Sequence, residues 1–346
     1  MNDLVADMRI CFERGYTDGL PVVPPYSELV DEMLAALGWS AGDILAVDHE
    51  LRLEIRAEQL ASIAVMAGCE PAHARVLRRL GELLLAPTFN LRGVATTTGG
   101  VAVLVILAGP VVGELGLATG SNALGAPVRS GATIGRFAQM VRHICGRAGG
   151  LLDEFGTIGH PGRLTYCVAE RQDTLWPGFQ TQFGFGAGES CVGVMAAEGP
   201  NSVNNHYAET GEHILETIAQ GLAHWGTTNF YYQGGGYLIL IAPEHMRLVA
   251  AGFSREAARQ FLFERAVVRT RELARIGRIP RGIDSARNVD FDAPRSPLAH
   301  QDQLTFIESG GGAGKFSAII PGWVANVTHV VGLAGGRVAL SRKGVF

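Results

Sequence analysis

Three groups of side chains in this 346-residue chain have the types and spacing to do chemistry. The first runs from Thr119 to Arg136, where Ser121, Asn122, Arg129, Ser130 and Arg136 are interleaved with glycines. Hydroxyls, an amide, backbone N–H groups freed by glycine and two guanidinium groups are the parts of an anion site. Arginine grips a carboxylate or phosphate with two parallel hydrogen bonds, and a helix from about Thr133 would add the positive end of its dipole. Thr96, Thr97 and Thr98, just ahead of the apolar run Val101–Leu107, add further hydroxyls. The alternative is a structural loop in which glycines make tight turns and Arg129 pairs an internal acid.

The second group is His206-Tyr-Ala-Glu-Thr-Gly-Glu-His213. On one continuous helix, at 100° per residue, His206, Glu209, His213, Glu216, Gln220 and His224 fall on a single stripe. Facing a cleft, His206 and Glu209 would move protons, and His206, Glu209 and His213 would take a divalent transition metal. The alternative is the solvated face of an amphipathic helix, and no H-E-x-x-H pair is present. His245, just after the apolar run Tyr237–Ile241, is a further acid/base candidate.

The third group is Gly310-Gly-Gly-Ala-Gly-Lys-Phe-Ser317. A phosphate-binding P-loop requires glycine at position 309 and a hydroxyl directly after the lysine, and the chain has Ser309 and Phe316 there. A nucleotide hydrolase is disfavoured. A looser anion nest with Lys315 as its point charge remains, beside a plain flexible turn. No G-x-S-x-G elbow and no G-x-G-x-x-G dinucleotide fingerprint occurs. The five cysteines, Cys11, Cys69, Cys145, Cys167 and Cys191, form no C-x-x-C pair, and their odd number suits a reduced cytoplasmic protein.

The elements that must position these groups are legible from periodicity. Val101–Leu107 is a continuous apolar, largely β-branched run ending at Gly109-Pro110, which reads as a strand buried on both faces. A polar loop leaving the carboxyl end of such a strand for a helix N-terminus is where open α/β sheets hold ligands. Helical spacing is read at Leu4–Glu13, from Ser27 to Leu37, from Ala57 to Ala67 and from Pro71 to Leu85, with a short strand at Leu51–Ile55. Asp18-Gly-Leu-Pro-Val-Val-Pro-Pro25 cannot be helical, and reads either as a rigid connector or as a pocket wall with Asp18 facing ligand.

A weak internal repeat orders the rest. Helix Ala74–Leu85, polar strand Asn90–Thr97, buried strand Val101–Leu107 and helix Thr133–Gly146 are matched by helix Glu212–His224, strand Asn229–Gln233, buried strand Tyr237–Ile241 and helix Ser254–Val268. Farther on, Arg163-Leu-Thr-Tyr matches Gln303-Leu-Thr-Phe, Trp176-Pro-Gly-Phe matches Ile320-Pro-Gly-Trp, and Cys191-Val-Gly-Val matches Val330-Val-Gly-Leu. The expected fold is therefore α/β: two pseudo-symmetric lobes, 59–202 and 203–346, from a diverged duplication, behind an N-terminal helical extension, 1–58. The cleft between lobes is the expected site.

Composition agrees. Hydrophobic residues at 47% and charged residues at 18% exclude a disordered chain. Glycine, with 46 residues, is about twice as frequent as usual and clusters after apolar runs. A net charge of −4 with no basic block argues against nucleic acid. No apolar run has the length of a membrane span, and MNDLVADMRICFERG lacks the pattern of a secretion signal.

Several stretches taken together resemble a known bacterial family: DGLPVVPP at 18–25, VMAGCEP at 65–71, FNLRGVATTTG at 89–99, LAGPVVGELGL at 107–117, GATIGR at 131–136, HPGRLTYCVAE at 160–170, APEH at 242–245 and GGGAGKFS at 310–317. Its members begin DGLPVVPPT, and the resemblance implies association with a small companion protein of the UGSC (seleno)protein type. This chain departs from the family pattern at Arg129-Ser-Gly-Ala and at Asn204-Asn205-His206, and has no U/C-Gly-Ser-Cys of its own.

The function expected from these readings is an enzyme acting on a small anionic metabolite, by a lyase or hydratase-type reaction. Thr96, Thr97, Thr98, Ser121, Asn122, Arg129, Arg136 and Lys315 would bind substrate, and His206, Glu209 and His245 would transfer protons. The alternatives are a thiol-assisted or metal-dependent oxidoreductase using Cys167 or a companion protein, and a non-catalytic ligand-binding scaffold. A homo-oligomer is expected.

Overall fold

The computed structural model describes residues 3–48, 53–146, 156–224, 226–278, 290–323 and 327–341. Helices α1 (Leu4–Glu13) and α2 (Ser27–Leu37) lead into the hairpin β1 (Ile44–Asp48) and β2 (Leu53–Arg56). Two positions of the strand expected at Leu51–Ile55, 51 and 52, lie outside the described residues. Helices α3 (Ala57–Ala67), α4 (Ala74–Leu85) and α5 (Leu91–Thr96) precede strand β3 (Ala102–Ala108). Then come α6 (Val111–Glu114), α7 (Arg129–Cys145), β4 (Cys167–Ala169), β5 (Cys191–Ala197) and β6 (Asn201–Asn204).

The second half runs α8 (Gly211–Leu222), α9 (Thr228–Tyr232), β7 (Tyr237–Ile241), α10 (Pro243–Gly252) and α11 (Arg255–Arg265). The short β8 (Val268–Arg269), α12 (Thr270–Arg275) and β9 (Pro294–Arg295) follow. Strands β10 (Leu304–Glu308), β11 (Phe316–Pro321), β12 (His329–Gly332) and β13 (Ala339–Leu340) complete it.

The fold is α/β, with two mixed sheets stacked between two helical layers. Strand β3 shows how the layers are made. Val103, Val105 and Leu107 face α3, α4 and α7 in one core, while Leu104, Ile106 and Ala108 face Leu238, Leu240 and Ile320 of the second sheet in another. Alternation with period two puts apolar side chains on both sides, so the run reads as continuously hydrophobic. A third core lies under α8, α10 and α11 on the far face of the second sheet.

Each sheet has a central strand with a parallel neighbour on one side and an antiparallel one on the other. β3 lies between β4 and β5, and β7 between β10 and β11. The next strand out is exchanged. β12, from the end of the chain, completes the first sheet against β5, and β6 completes the second against β11. A cut at 202/203 therefore does not separate the two sheets. The match of Cys191 with Val330 joins strands of different rank, since β5 holds the place in its sheet that β11 holds in the other.

Two expected strands are helices. Asn90, with φ +55°, caps α5 by accepting a hydrogen bond from the Gly93 N–H at 3.2 Å, and Leu91, Val94 and Ala95 turn inward at helical spacing. Thr228–Tyr232 is the corresponding short helix before β7, replacing the strand expected at Asn229–Gln233. Helix α7 begins at Arg129 rather than Thr133, which moves Arg129 and Ser130 out of the glycine loop and into a first helical turn. Among the described residues, no helix is long and apolar enough to cross a membrane.

Candidate functional site

The carboxyl ends of both parallel strand pairs meet at one seam. The Ser309 hydroxyl donates to the Ala169 carbonyl at 2.8 Å, the Arg171 N–H to the Glu308 carbonyl at 2.9 Å, and the Gly310 N–H to the Thr119 carbonyl at 2.9 Å. Segments leaving β3, β4, β7 and β10 therefore crowd together where strand carboxyl ends ordinarily meet ligand. Gly109, with φ +86°, passes so close that a Cβ there would collide with the Glu189 carbonyl.

Beside this seam is a cleft of about 550 Å3. One wall is Ser121–Gly125 from the first half of the chain, and the other is formed by Gly310, Gly311, Ala313 and Gly314 from the second. Leu240, Ala318 and Ser202, on one face of β7, β11 and β6, form its floor, and Phe316 stands at its edge. The walls approach closely enough that a Cβ on Gly311 would sit 2.8 Å from the Ser121 Oγ. Asn122, at φ +60°, holds the left-handed turn that aims this loop. A second cavity, of about 270 Å3, lies behind the same loop against Thr165 and Cys167.

Ser121 and Asn122 are thus brought into the cleft, and the other substrate-binding candidates are not. Arg129 is ion-paired with Glu70, also donates to the Gly68 carbonyl, and lines a separate cavity beside Val23 and Cys69. Arg136 grips Asp18 with two hydrogen bonds of 2.8 Å. That pairing ties DGLPVVPP to α7 with Asp18 already matched, while Val23 of the same segment walls the cavity beside Arg129. Lys315 donates its ammonium to the carbonyls of His206 and Ala208 at 3.0 and 3.1 Å.

Thr96, Thr97 and Thr98 lie at the amino end of β3, about 20 Å from the seam for a strand of this length. The Thr96 hydroxyl donates to the Arg92 carbonyl, and the Thr97 hydroxyl accepts from the Gly99 N–H. No ionised side chain stands among the described residues that line the cleft.

Because the Arg129–Glu70 pair is largely exposed, Arg129→Ala should lower stability by less than about 1 kcal/mol. It should also leave ligand binding in the cleft within experimental error. Denaturant unfolding and a binding isotherm on the same preparation check both halves of this expectation.

The continuous histidine stripe breaks at Thr210, whose side chain accepts from the His213 N–H and starts α8 one residue later. His206 and Glu209 precede the helix, and the Glu209 N–H points at His213 Nδ1 from 3.4 Å. The three do not converge, and no cluster of three or more His, Cys, Asp or Glu able to hold a metal occurs among the described residues. His206 is exposed and meets the Phe316 ring edge-on at 5.3 Å, at the rim of the cleft.

His245 is buried on α10, its Nδ1 2.8 Å from the Ser317 hydroxyl. Burial pushes its pKa down, so the ring is neutral at pH 7. Ser317 is itself among the residues that line the cleft, between Phe316 and Ala318, and His245 stands behind it on α10.

Cys11, Cys69 and Cys191 are buried, while Cys145 and Cys167 are half-buried and Cys167 lines the second cavity. Burial raises Cys69, Cys145 and Cys167 to about 12, and raises Cys11 and Cys191 as well. None is a thiolate at neutral pH.

Two acids at the seam are not among the site residues expected from the sequence. Glu170 follows β4 and Glu308 ends β10, both buried. Glu170 accepts from the Phe179 N–H at 2.6 Å and Glu308 from the Leu175 N–H at 2.9 Å. Burial, reinforced by the charge of Glu308, lifts the Glu170 carboxyl to about 7 despite those bonds and the nearby Arg255. Burial also raises Glu308. The available signal was a buried strand ending in glutamate in each half, YCVAE and LTFIE. Comparison with models of known protein families and with curated protein sequences finds no match.

Proposed function

We propose that the chain is an enzyme that binds a small polar metabolite in the cleft between its two glycine loops and acts on it by proton transfer, in a lyase or hydratase-type reaction. The observation that supports this reading is the cleft itself: Ser121–Gly125 and Gly310–Gly314 come from opposite halves of the chain and wall one cavity of small-molecule size. Ser121, Asn122 and Ser202 supply neutral hydrogen-bonding groups. A negative charge on the ligand would be met by backbone N–H groups of the glycine loops rather than by arginine. His206, whose ring meets Phe316 at the edge of the cleft, is the group taken to move the proton.

Thermal-shift screening against a library of small carboxylates, amides and alcohols tests the site. A ligand that stabilises the protein should bind at least ~10-fold more weakly to Ser121→Ala/Asn122→Ala, as expected for losing two hydrogen-bonding partners. His206→Gln should keep that affinity and reduce turnover at least ~100-fold. Unchanged affinity in the double variant places the ligand elsewhere.

One observation favours a second reading. The pKa of each of the five thiols is raised by burial and none is among the residues that line the cleft, so thiol chemistry there would need a sulfur from another protein. The chain would then be the ligand-binding subunit for a small companion of the UGSC type. Turnover by the purified chain alone separates the two readings.

A further inference from the structure

The second cavity, of about 270 Å3, differs in chemistry from the cleft beside it. Leu117, Leu124, Pro127 and Val128 line it with alanines between them, and no charged side chain does. Its two polar side chains offer a ligand little. The Thr165 hydroxyl already donates to the Ala132 carbonyl at 2.8 Å, and burial lifts the Cys167 thiol to about 12, so it is uncharged. A buried water is kept in place by about three hydrogen bonds, which these side chains do not supply. The loop that closes the cavity is held at both ends, by Leu117 in the core between β3 and the helices and by Leu124 against the core between the two sheets. The Ser130 hydroxyl, donating to the Leu115 carbonyl at 2.8 Å, and the Gly125 N–H, donating to the Asn122 carbonyl at 2.7 Å, fix its course. Ala123, Leu124 and Gly125 line this cavity and the cleft alike, so one stretch of chain is the wall between them.

We propose that this cavity is the subsite for an aliphatic chain carried by the ligand of the cleft. The proposal rests on the reading above, that the polar end of that ligand is held by Ser121 and Asn122. The substrate class is then a short-chain aliphatic acid, amide or alcohol, and not a polyol such as a sugar. Both halves of such a molecule find their match on either side of one wall: exposed Ser121 and Asn122 in the cleft, and Leu117, Pro127 and Val128 behind it. Size sets the length of the chain. An apolar cavity of about 150 Å3 takes up benzene, so one of about 270 Å3 has room for a chain of roughly six to eight carbons.

Calorimetric titration of the full chain with straight-chain carboxylates, amides and alcohols of increasing length tests this. Each methylene that enters the cavity should tighten binding about 4-fold, and the gain should stop at roughly eight carbons. Gly131, in the first turn of α7, lines the cavity, and a Cβ there would meet only the Leu117 Cδ2, at 3.8 Å. Gly131→Leu should therefore abolish the gain with length while leaving the shortest ligands bound as before, and Gly131→Ala should reduce it. Both replace a helical glycine by a better helix former, so neither should lower the melting temperature. Ser121→Ala/Asn122→Ala should weaken every length by one common factor. Affinity independent of length in the wild type, with the double variant still weaker, overturns the subsite and leaves the reading of the cleft standing. A gain with length that survives Gly131→Leu also overturns the subsite. A gain lost in Gly131→Leu but indifferent to Ser121→Ala/Asn122→Ala overturns the reading of the cleft, and with it a ligand shared between the two cavities. A series in which no member binds overturns the proposal outright.

Discussion

Arg136→Ala is expected to destabilise the protein by about 3–5 kcal/mol, the range seen when one partner of a buried ion pair is removed. The guanidinium donates to both Asp18 oxygens at 2.8 Å and to the Leu20 and Pro21 carbonyls. Its side chain is 16% exposed and that of Asp18 is 6%. Without it a buried carboxylate is left uncompensated, and the strap of residues 18–25 loses its tie to α7.

Burial alone would raise the Asp18 carboxyl, but the hydrogen bonds and charge of Arg136 outweigh burial and hold it below the ordinary carboxylate range. A depressed folded-state pKa gives stability that is fully present above the ordinary value and fades as pH falls through the folded one. The difference between wild type and Arg136→Ala should therefore be widest near neutral pH and narrow below about pH 4. Urea unfolding at several pH values measures it. A loss under 1 kcal/mol at pH 7 would mean that the strap is held by its apolar contacts alone.

Glu170→Gln is expected to act in the opposite sense. Glu170 titrates near 7 in the folded protein against an ordinary 4.5, chiefly because it is buried. The folded state thus binds a proton that the unfolded state has already released between those values. Stability attributable to this group is greatest at acid pH and falls as pH rises from about 4.5 to about 7, levelling off above. The neutral amide keeps an oxygen to accept from the Phe179 N–H and has no charge to desolvate. Near pH 5 the variant and wild type should be about equally stable. At pH 8 the variant should be more stable by up to about 3 kcal/mol, the free-energy equivalent of the shift. Melting temperatures of the two proteins across this range decide it. Parallel curves would show that Glu170 carries its charge at little cost, with Arg255 and Glu308 adjusting around it.

The parts of the fold visible in the sequence are those set by local pattern. Val101–Leu107 announces a strand with no polar face. Helices α1 to α4 announce themselves by helical spacing and by Gly15, Gly38 and Gly68, which sit at positive φ just after the first three. The short helices α5 and α9 escape because five or six residues carry too little periodicity, and their polar side chains resemble strand edges. Site residues fail for a different reason. Arg129 and Arg136 have the right chemistry for an anion, yet their partners Glu70 and Asp18 lie 59 and 118 residues away, and nothing local reveals that the charges are already matched. His206, Glu209 and His213 align only if one helix runs through all three, and the single residue Thr210 ends that alignment. Ser121 and Asn122 succeed because their place depends on a glycine loop leaving a buried strand, which is itself local.

The exchange of β6 and β12 sets the order in which this protein can be completed. On the ribosome, β3, β4 and β5 are made first, and the edge of β5 that pairs with residues 329–332 has no partner until those residues have emerged. Val192 and Val194, apolar and β-branched, sit on that waiting edge, a template for misplaced pairing with a neighbouring nascent chain. The closing step joins strands well over a hundred residues apart, which makes it slow by topology alone. Truncation ahead of residue 329 would therefore leave the first sheet, made long before, with an open edge.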